Sequence, residues 1–308
     1  MGTTQPSTSE LVDAALGHLE RLYVFPEVAD TTGAAIRELE RAGSFAGLDE
    51  AEFCARLTAE LQSRTNDKHL RVRARIQPPA ENAGRSQEEV VAALIAKFRD
   101  DNWGIAKVER LDGNIGLIDL RMIVDASLAG PAIAAAMELV SRTDALVFDL
   151  RACLGGSPNA VQSWISHLTA DDETQLSSVQ EREGASLRQY WTLADVAGPR
   201  YLDREVFVLT SGATFSGAEQ FGYDLQAIGR ATIVGAATGG GAHPTRFIPI
   251  SDTIEITVPF ARAVNPITGT NWEGVGVVPD IVVDADDALQ VAIDEAGRRV
   301  SERTAAVG

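Results

Sequence analysis

The sequence is short of cysteine, methionine, histidine and positive charge, and each shortage removes a class of protein. Its 308 residues include two cysteines, three methionines and four histidines. Cys54 and Cys153 lie far apart without metal-type spacing, and the histidines do not cluster with them. The sequence therefore calls for no metal and no organic cofactor. Both cysteines read as reduced thiols, not as a disulfide framework. Lysine and arginine number 27 against 44 aspartates and glutamates, a formal charge of −17 with a pI near 4.6. That surface repels phosphate backbones and anionic lipid, so neither nucleic acid nor a membrane is an expected partner. No apolar run approaches the ~20 residues of a spanning helix. The opening MGTTQPSTSE offers no basic or apolar targeting region, which makes a cytoplasmic location the expectation.

What is present is the composition of a folded protein, 45% hydrophobic and 23% charged. At about 150 residues per domain the length suits one large domain or two unequal ones. From Ser9 to about Arg64 the pattern is helical: Leu11, Ala14, Ala15, Leu19 and Leu22 share one face, then Ala34, Ala35, Ile36 and Leu39, then Phe53, Leu57 and Leu61. Pro26 opens the second of these helices and Ala42-Gly43-Ser44 closes it. His69 to Ile76 alternates apolar residues with arginines, the period of a half-buried strand. The polar stretch Gln77–Gln87 reads as a linker, followed by a helix bearing Val90, Val91, Leu94, Ile95 and Phe98.

Beyond it, strand-like runs at Ile105–Leu111, Ile115–Leu120, Ala145–Leu150, Val206–Leu209 and Thr232–Val234 alternate with helical patterns at Pro131–Val140, Ala160–Leu168, Ala218–Ile228 and Ala288–Ala296. Such alternation predicts an α/β fold, crossover units around a mainly parallel sheet. Thr253–Pro259 reads as part of a hairpin.

Glycine loops follow three of these strands: Arg151 to Gly156, Ser211 to Ser216, and Thr238 to His243. Ligands of parallel sheets bind beyond the carboxyl ends of the strands, so the three loops are the natural place for chemistry. No dinucleotide fingerprint or P-loop occurs at them, which excludes the usual nucleotide sites. Ser216 stands between a strand and a helix starting at Gly217. There a hydroxyl can attack a carbonyl while helix N–H groups hold the oxyanion. The tetrapeptide Ser216-Gly217-Ala218-Glu219 equally fits a capping box, and taken alone fits it better. His69 and His243 are the two histidines placed to reach such a crevice. Glu273, beside Trp272 in a glycine-rich turn, is either a partly desolvated acid that orients a histidine or a solvated loop carboxylate. Cys153 ranks below Ser216 as a nucleophile because no cationic neighbour in sequence activates it.

At these loops the sequence resembles the S41 peptidases, the tail-specific or C-terminal processing protease family, and within it the branch of the interphotoreceptor retinoid-binding protein repeats. The resemblance rests on Asn66-Asp67-Lys68-His69, Asp149-Leu150-Arg151 with Gly155-Gly156, Leu209 through Glu219, Arg230 through Gly235, and Asn265-Pro266 through Asp280. It implies a crotonase-like β/α core with a small N-terminal helical bundle. The division that follows is 1–76 for the helical part and its strand, 77–103 for a linker and helix, and 104–308 for the catalytic domain. Arg71 to Trp103 is too short to hold a PDZ domain, so none is expected.

The resemblance makes Ser216 the nucleophile, His69 its base and Glu273 the supporting acid, with Gly155, Gly156 and Gly217 supplying oxyanion donors. Lys68, His243 and Trp272 would border the substrate. Processing proteases carry a lysine where this chain has Gly241, so a Ser–Lys dyad is not expected here. Other departures are Lys68 in place of a serine before the histidine, and Cys153 in place of asparagine. The implied activity is a serine-type peptidase or hydrolase acting on a peptide or small molecule, in a chain whose sequence is compatible with a homo-oligomer. The alternatives are a small-ester or amide hydrolase, and a non-catalytic binder of an apolar molecule or peptide.

Overall fold

The computed structural model describes residues 6–75, 86–182 and 186–307. Ile76, expected to end the first strand, and most of Gln77–Gln87 lie outside them. The order begins α1 (Thr8–Leu22), α2 (Pro26–Arg41), α3 (Glu50–Thr65), β1 (Arg71–Ala74), α4 (Gln87–Asp100), β2 (Ile105–Leu111), β3 (Ile115–Leu120) and α5 (Ala126–Val140). It continues with β4 (Ala145–Asp149), α6 (Pro158–Ser166), β5 (Ser178–Glu181), β6 (Leu187–Arg188), β7 (Glu205–Thr210), α7 (Gly217–Ala227) and β8 (Thr232–Gly235). The last elements are β9 (Thr245–Pro249), β10 (Ile254–Pro259), β11 (Ala261–Val264), β12 (Ile281–Val282) and α8 (Ala288–Val307).

The chain forms two compact units. The first takes residues 1–86, 179–188 and 243–263, and the second takes the remainder. In the first unit, side chains fix the helix starts. Ser7 and Asp49 each accept the N–H of a glutamate three residues on, and each glutamate reaches back to the cap. The apolar faces of α1 and α3 then meet the strands: Leu16, Leu19, Leu57, Leu61, Val72, Ile256 and Val258 share one core. Strand β1 is completed from far along the chain, pairing antiparallel with β10 so that Arg71 faces Thr257. Strand β9 closes this sheet, and β11, β5 and β6 form a second.

The second unit is built on a six-stranded sheet in the order β12-β8-β7-β4-β3-β2. Every neighbouring pair is parallel except β2 with β3, so the sheet is mixed. Strands β3 and β4 are buried along their whole length, as strands covered on both faces require. Helix α5 starts five residues before the expected Pro131, because the Asp125 side chain caps it. Among the described residues no helix is long and apolar enough to cross a membrane. The parallel arrangement releases the loops after β4, β7 and β8 at one edge of the sheet.

Phe148 of β4 is fully buried and meets Trp164 at 5.7 Å and Phe221 at 4.9 Å between ring centres, joining the sheet to α6 and α7. Phe148→Ala is expected to destabilise this unit by about 3–5 kcal/mol, read as a lower denaturation midpoint at unchanged slope.

Candidate active site

Ser216 closes the loop between β7 and α7 with φ 55° and ψ −121°, a conformation outside the ordinary regions for a residue with a side chain. Holding it there costs about 1–3 kcal/mol, which the surroundings must supply. The loop is stitched to the turn after β4. Phe215 donates its N–H to the carbonyl of Cys153 at 3.1 Å. Thr214 Oγ1 donates to the carbonyl of Leu150 at 2.8 Å, and Ser211 Oγ to that of Arg151 at 2.5 Å. The N–H of Ser216 itself goes to the carboxylate of Glu219 at 2.7 Å, the reach-back half of a capping box.

Gly155 and Gly156 leave room for this turn. A Cβ on Gly155, whose φ is +96°, would stand 2.7 Å from the nitrogen of Gly217 and 2.9 Å from the Cβ of Ser216. A Cβ on Gly217 would stand 2.9 Å from the nitrogen of Gly156. The peptide groups of 155–156 and 216–217 therefore lie side by side next to the serine. Ile123 brackets the first pair, donating to the carbonyl of Gly155 and accepting from Ser157, both at 2.8 Å. Ser157 Oγ is fixed in turn by Asp125 at 2.6 Å. Bonds from Ser157 and Ser127 hold that carboxyl down at about 2.

Glu219 does more than cap. It is fully buried and accepts from Thr238 Oγ1 at 2.5 Å, Gly240 N–H at 2.6 Å and Gly241 N–H at 2.9 Å, besides Ser216. Burial raises its proton affinity, and these bonds oppose the rise. The 238–242 loop is zipped on its other side to the Trp272–Val277 segment. Trp272 Nε1 donates to Gly241 at 2.9 Å, and Gly274 N–H donates to Gly240 at 3.1 Å. Trp272 is only 2% exposed and braces this loop through its indole N–H. Glu273, half-buried, accepts the N–H of Ala242. Cys153 is buried, and burial pushes its thiol up to about 11, which rules it out as a ready nucleophile.

His69 and His243 belong to the first unit. Asp67, fully buried, is their hub: it accepts the backbone N–H of His69 at 3.0 Å, the Tyr23 hydroxyl at 3.2 Å, and contacts His243 Nδ1 at 2.6 Å. His243 is itself buried, its ring centre 5.6 Å from that of Phe25 with the rings steeply inclined. His69 is half-buried, and its carbonyl accepts from Thr257 Oγ1. Burial lowers its pKa from 6.5 to about 4, with Asp67 opposing and His243 and Arg71 adding to the drop. Lys68 is exposed.

Sequence reasoning did not reach Asp67, Asp125 or the full role of Glu219. Asp67 had a signal, since an aspartate two residues before an N–H that must be held is the pattern of an Asx turn. Glu219 had only its capping position.

Folding favours the neutral form of His69, so its contribution to stability is complete above about pH 6.5 and is lost as pH falls to about 4. The loss amounts to about 3 kcal/mol. His69→Gln is expected to flatten the stability profile over that interval relative to wild type, measured by denaturant midpoints at successive pH values.

The sequence profile of Peptidase family S41 matches residues 114–283, more than half of the chain. Solved structures agree on the fold. A candidate peptidase from Parabacteroides merdae aligns with a TM-score of 0.66 at 17% identity, over 95% of this chain and 97% of that one. A lipoprotein from Streptococcus agalactiae gives 0.61 at 15% identity, over 97% and 99%. The photosystem II D1 C-terminal processing protease gives 0.53 at 17% identity, over 92% and 94%. At these identities the likeness is one of fold alone. It is the family profile, lying across the strained serine and both of the glycine loops that hold it, that carries the assignment: the chain belongs to peptidase family S41.

Proposed function

We propose that the chain is a serine-type peptidase or hydrolase working through an acyl-enzyme on Ser216. The observation that carries this reading is the left-handed backbone of Ser216 beside the peptide groups of Gly155–Gly156 and Gly217. Strain of this kind at a loop between strand and helix is where nucleophiles are found. In the proposed reaction Ser216 Oγ attacks the substrate carbonyl and its proton passes to the imidazole of His69. The oxyanion is held by N–H groups of the glycine peptides. The imidazolium then protonates the leaving group, and water releases the acyl group by the same route in reverse. Glu273 supports the imidazolium charge. A His69 pKa of about 4 keeps the ring neutral at pH 7, the state a base requires.

The layering of helices on a largely parallel sheet fits the crotonase-like core that the family resemblance implies. A peptide is the substrate class that family membership favours. A second reading, a binding protein without turnover, is favoured by Gly241 standing where processing proteases carry their lysine.

An active-site serine probe separates the two. Labelling of the wild type, lost in Ser216→Ala and retained in Ser211→Ala, is the expected result; no labelling of the wild type at any concentration sinks the catalytic reading. Gly156→Ala, which forces a side chain onto the carbonyl of Ile123, is expected to lower kcat by about a hundredfold or more on a reporter ester.

A further inference from the structure

The loop of Gly155 and Gly156 is gripped from outside, by the segment that leads into α5. Ile123 forms a parallel bridge with Gly156: its N–H donates to the carbonyl of Gly155, and its carbonyl accepts the N–H of Ser157. In such a bridge the bridged residue turns its own N–H and carbonyl to the opposite side. Here that side is Gly217, where a Cβ would stand 2.9 Å from the Gly156 nitrogen. The N–H of Gly155 is engaged by the Cys153 sulfur. Among the described residues the N–H of Gly156 has no acceptor, and it lies next to the serine turn.

Two consecutive glycines at φ +96° and +147° do not hold such a group in place by themselves. Ser157 does, and its hydroxyl is diverted to do so. Ser157 is the N-cap of α6, with extended backbone and Pro158 following, yet its side chain makes no capping bond to that helix. It donates instead to Asp125 Oδ2 at 2.6 Å, and Asn159 Nδ2 joins the same oxygen at 3.2 Å. The other oxygen, Oδ1, accepts the Ser127 N–H at 3.0 Å and the Ser127 hydroxyl at 2.7 Å. That ties the carboxylate to α5, which is seated in the core through Ala129, Ile133, Met137 and Val140. Capping α5 needs only the Oδ1 bonds, and capping α6 would keep the Ser157 hydroxyl on its own helix. Their bond instead grips Ser157 twice from one short segment, by its N–H at Ile123 and by its hydroxyl at Asp125.

We propose that Asp125 is a positioning residue for the reaction on Ser216: through Ser157 it holds the Gly156 peptide with its N–H aimed at the oxyanion. The inference rests on the serine-hydrolase reading and adds to it a residue that touches neither substrate nor nucleophile. With Ser157 released, the Gly155–Gly156 peptides rotate, and a donor misplaced by about 1 Å costs on the order of a hundredfold in rate.

The test compares Ser157→Ala, Ser157→Thr and Asp125→Ala in the full chain. The substrate is p-nitrophenyl acetate, and the inhibitor is phenylboronic acid, whose serine adduct places an oxygen on the same donors. Ser157→Ala leaves the Oδ1 cap of α5 intact, so it isolates positioning even where Asp125→Ala fails to fold. Ser157→Ala and Asp125→Ala should lower kcat by about tenfold to a hundredfold, with KM within about twofold and the boronate inhibition constant raised in step with the loss. Ser157→Thr keeps the hydroxyl and should retain kcat within about threefold. The double variant should be no slower than the worse single one, since each change removes the same bond. Amide exchange gives a readout independent of turnover. The N–H groups of Leu154 and Ser157, bonded to Arg121 and Ile123, should exchange about tenfold faster in Ser157→Ala but not in Ser157→Thr, with the amides of β3 and β4 unchanged. An active wild type whose kcat is unmoved by Ser157→Ala, or lowered equally by Ser157→Thr, overturns the proposal and leaves the Ser216 reading standing. So does faster exchange spread through the whole sheet, which marks general destabilisation. A wild type inert toward both the ester and the boronate overturns the Ser216 reading and this assignment together.

Discussion

Four donors converge on the carboxylate of Glu219, which has no contact with solvent: the backbone N–H groups of Ser216, Gly240 and Gly241 and the hydroxyl of Thr238. A carboxylate in such a place is costly unless its lone pairs are satisfied. The chain meets this by folding two loops around it. Ser216 cannot relax its backbone without losing the bond to Glu219, and the glycine loop cannot move away without stranding the same oxygens. Strain at the serine and order in the loop are thus two sides of one hydrogen-bond set, and such sets resist piecemeal disruption.

The same logic explains what takes the place of a lysine. The resemblance puts an ammonium group of the processing proteases at the position of Gly241. In this chain the main-chain N–H of that residue turns to Glu219, while its carbonyl receives the indole of Trp272. Backbone dipoles do here the neutralising work that a cation would do, and no side chain is left at that point to take a proton from serine. In the proposed reaction the base is then an imidazole. Asp67 contacts two histidines in different ways, His243 through its ring nitrogen and His69 through its backbone N–H.

Much of the fold could be read in advance, because periodicity reports burial. The strands at 105–111 and 115–120 fall where the apolar alternation places them, and α1, α3 and α7 follow their apolar faces. Strands β5, β6 and β11 escaped notice: they are short, and pairing between distant segments, not their own composition, makes them strands. Ser216 and its glycines were visible because a strand, a tight turn and a helix leave a sequence signature. Asp67 and Glu219 were hardly visible as organising residues, since a buried acid differs from a solvated one only in what surrounds it. In a chain with 44 acidic residues that difference has no local mark.

The first unit gathers three separated stretches of chain, and its sheet pairs Arg73 with a residue 182 positions later. On a ribosome adding about 5–20 residues per second, the helices α1 to α3 emerge roughly ten to forty seconds before the strand that completes their hydrophobic layer. During that time Leu61, Leu70 and Val72 lack the cover of Ile254, Ile256 and Val258. The nascent protein thus carries an open apolar seam through much of its synthesis. Completing that seam therefore waits on a segment made long after the helices it covers.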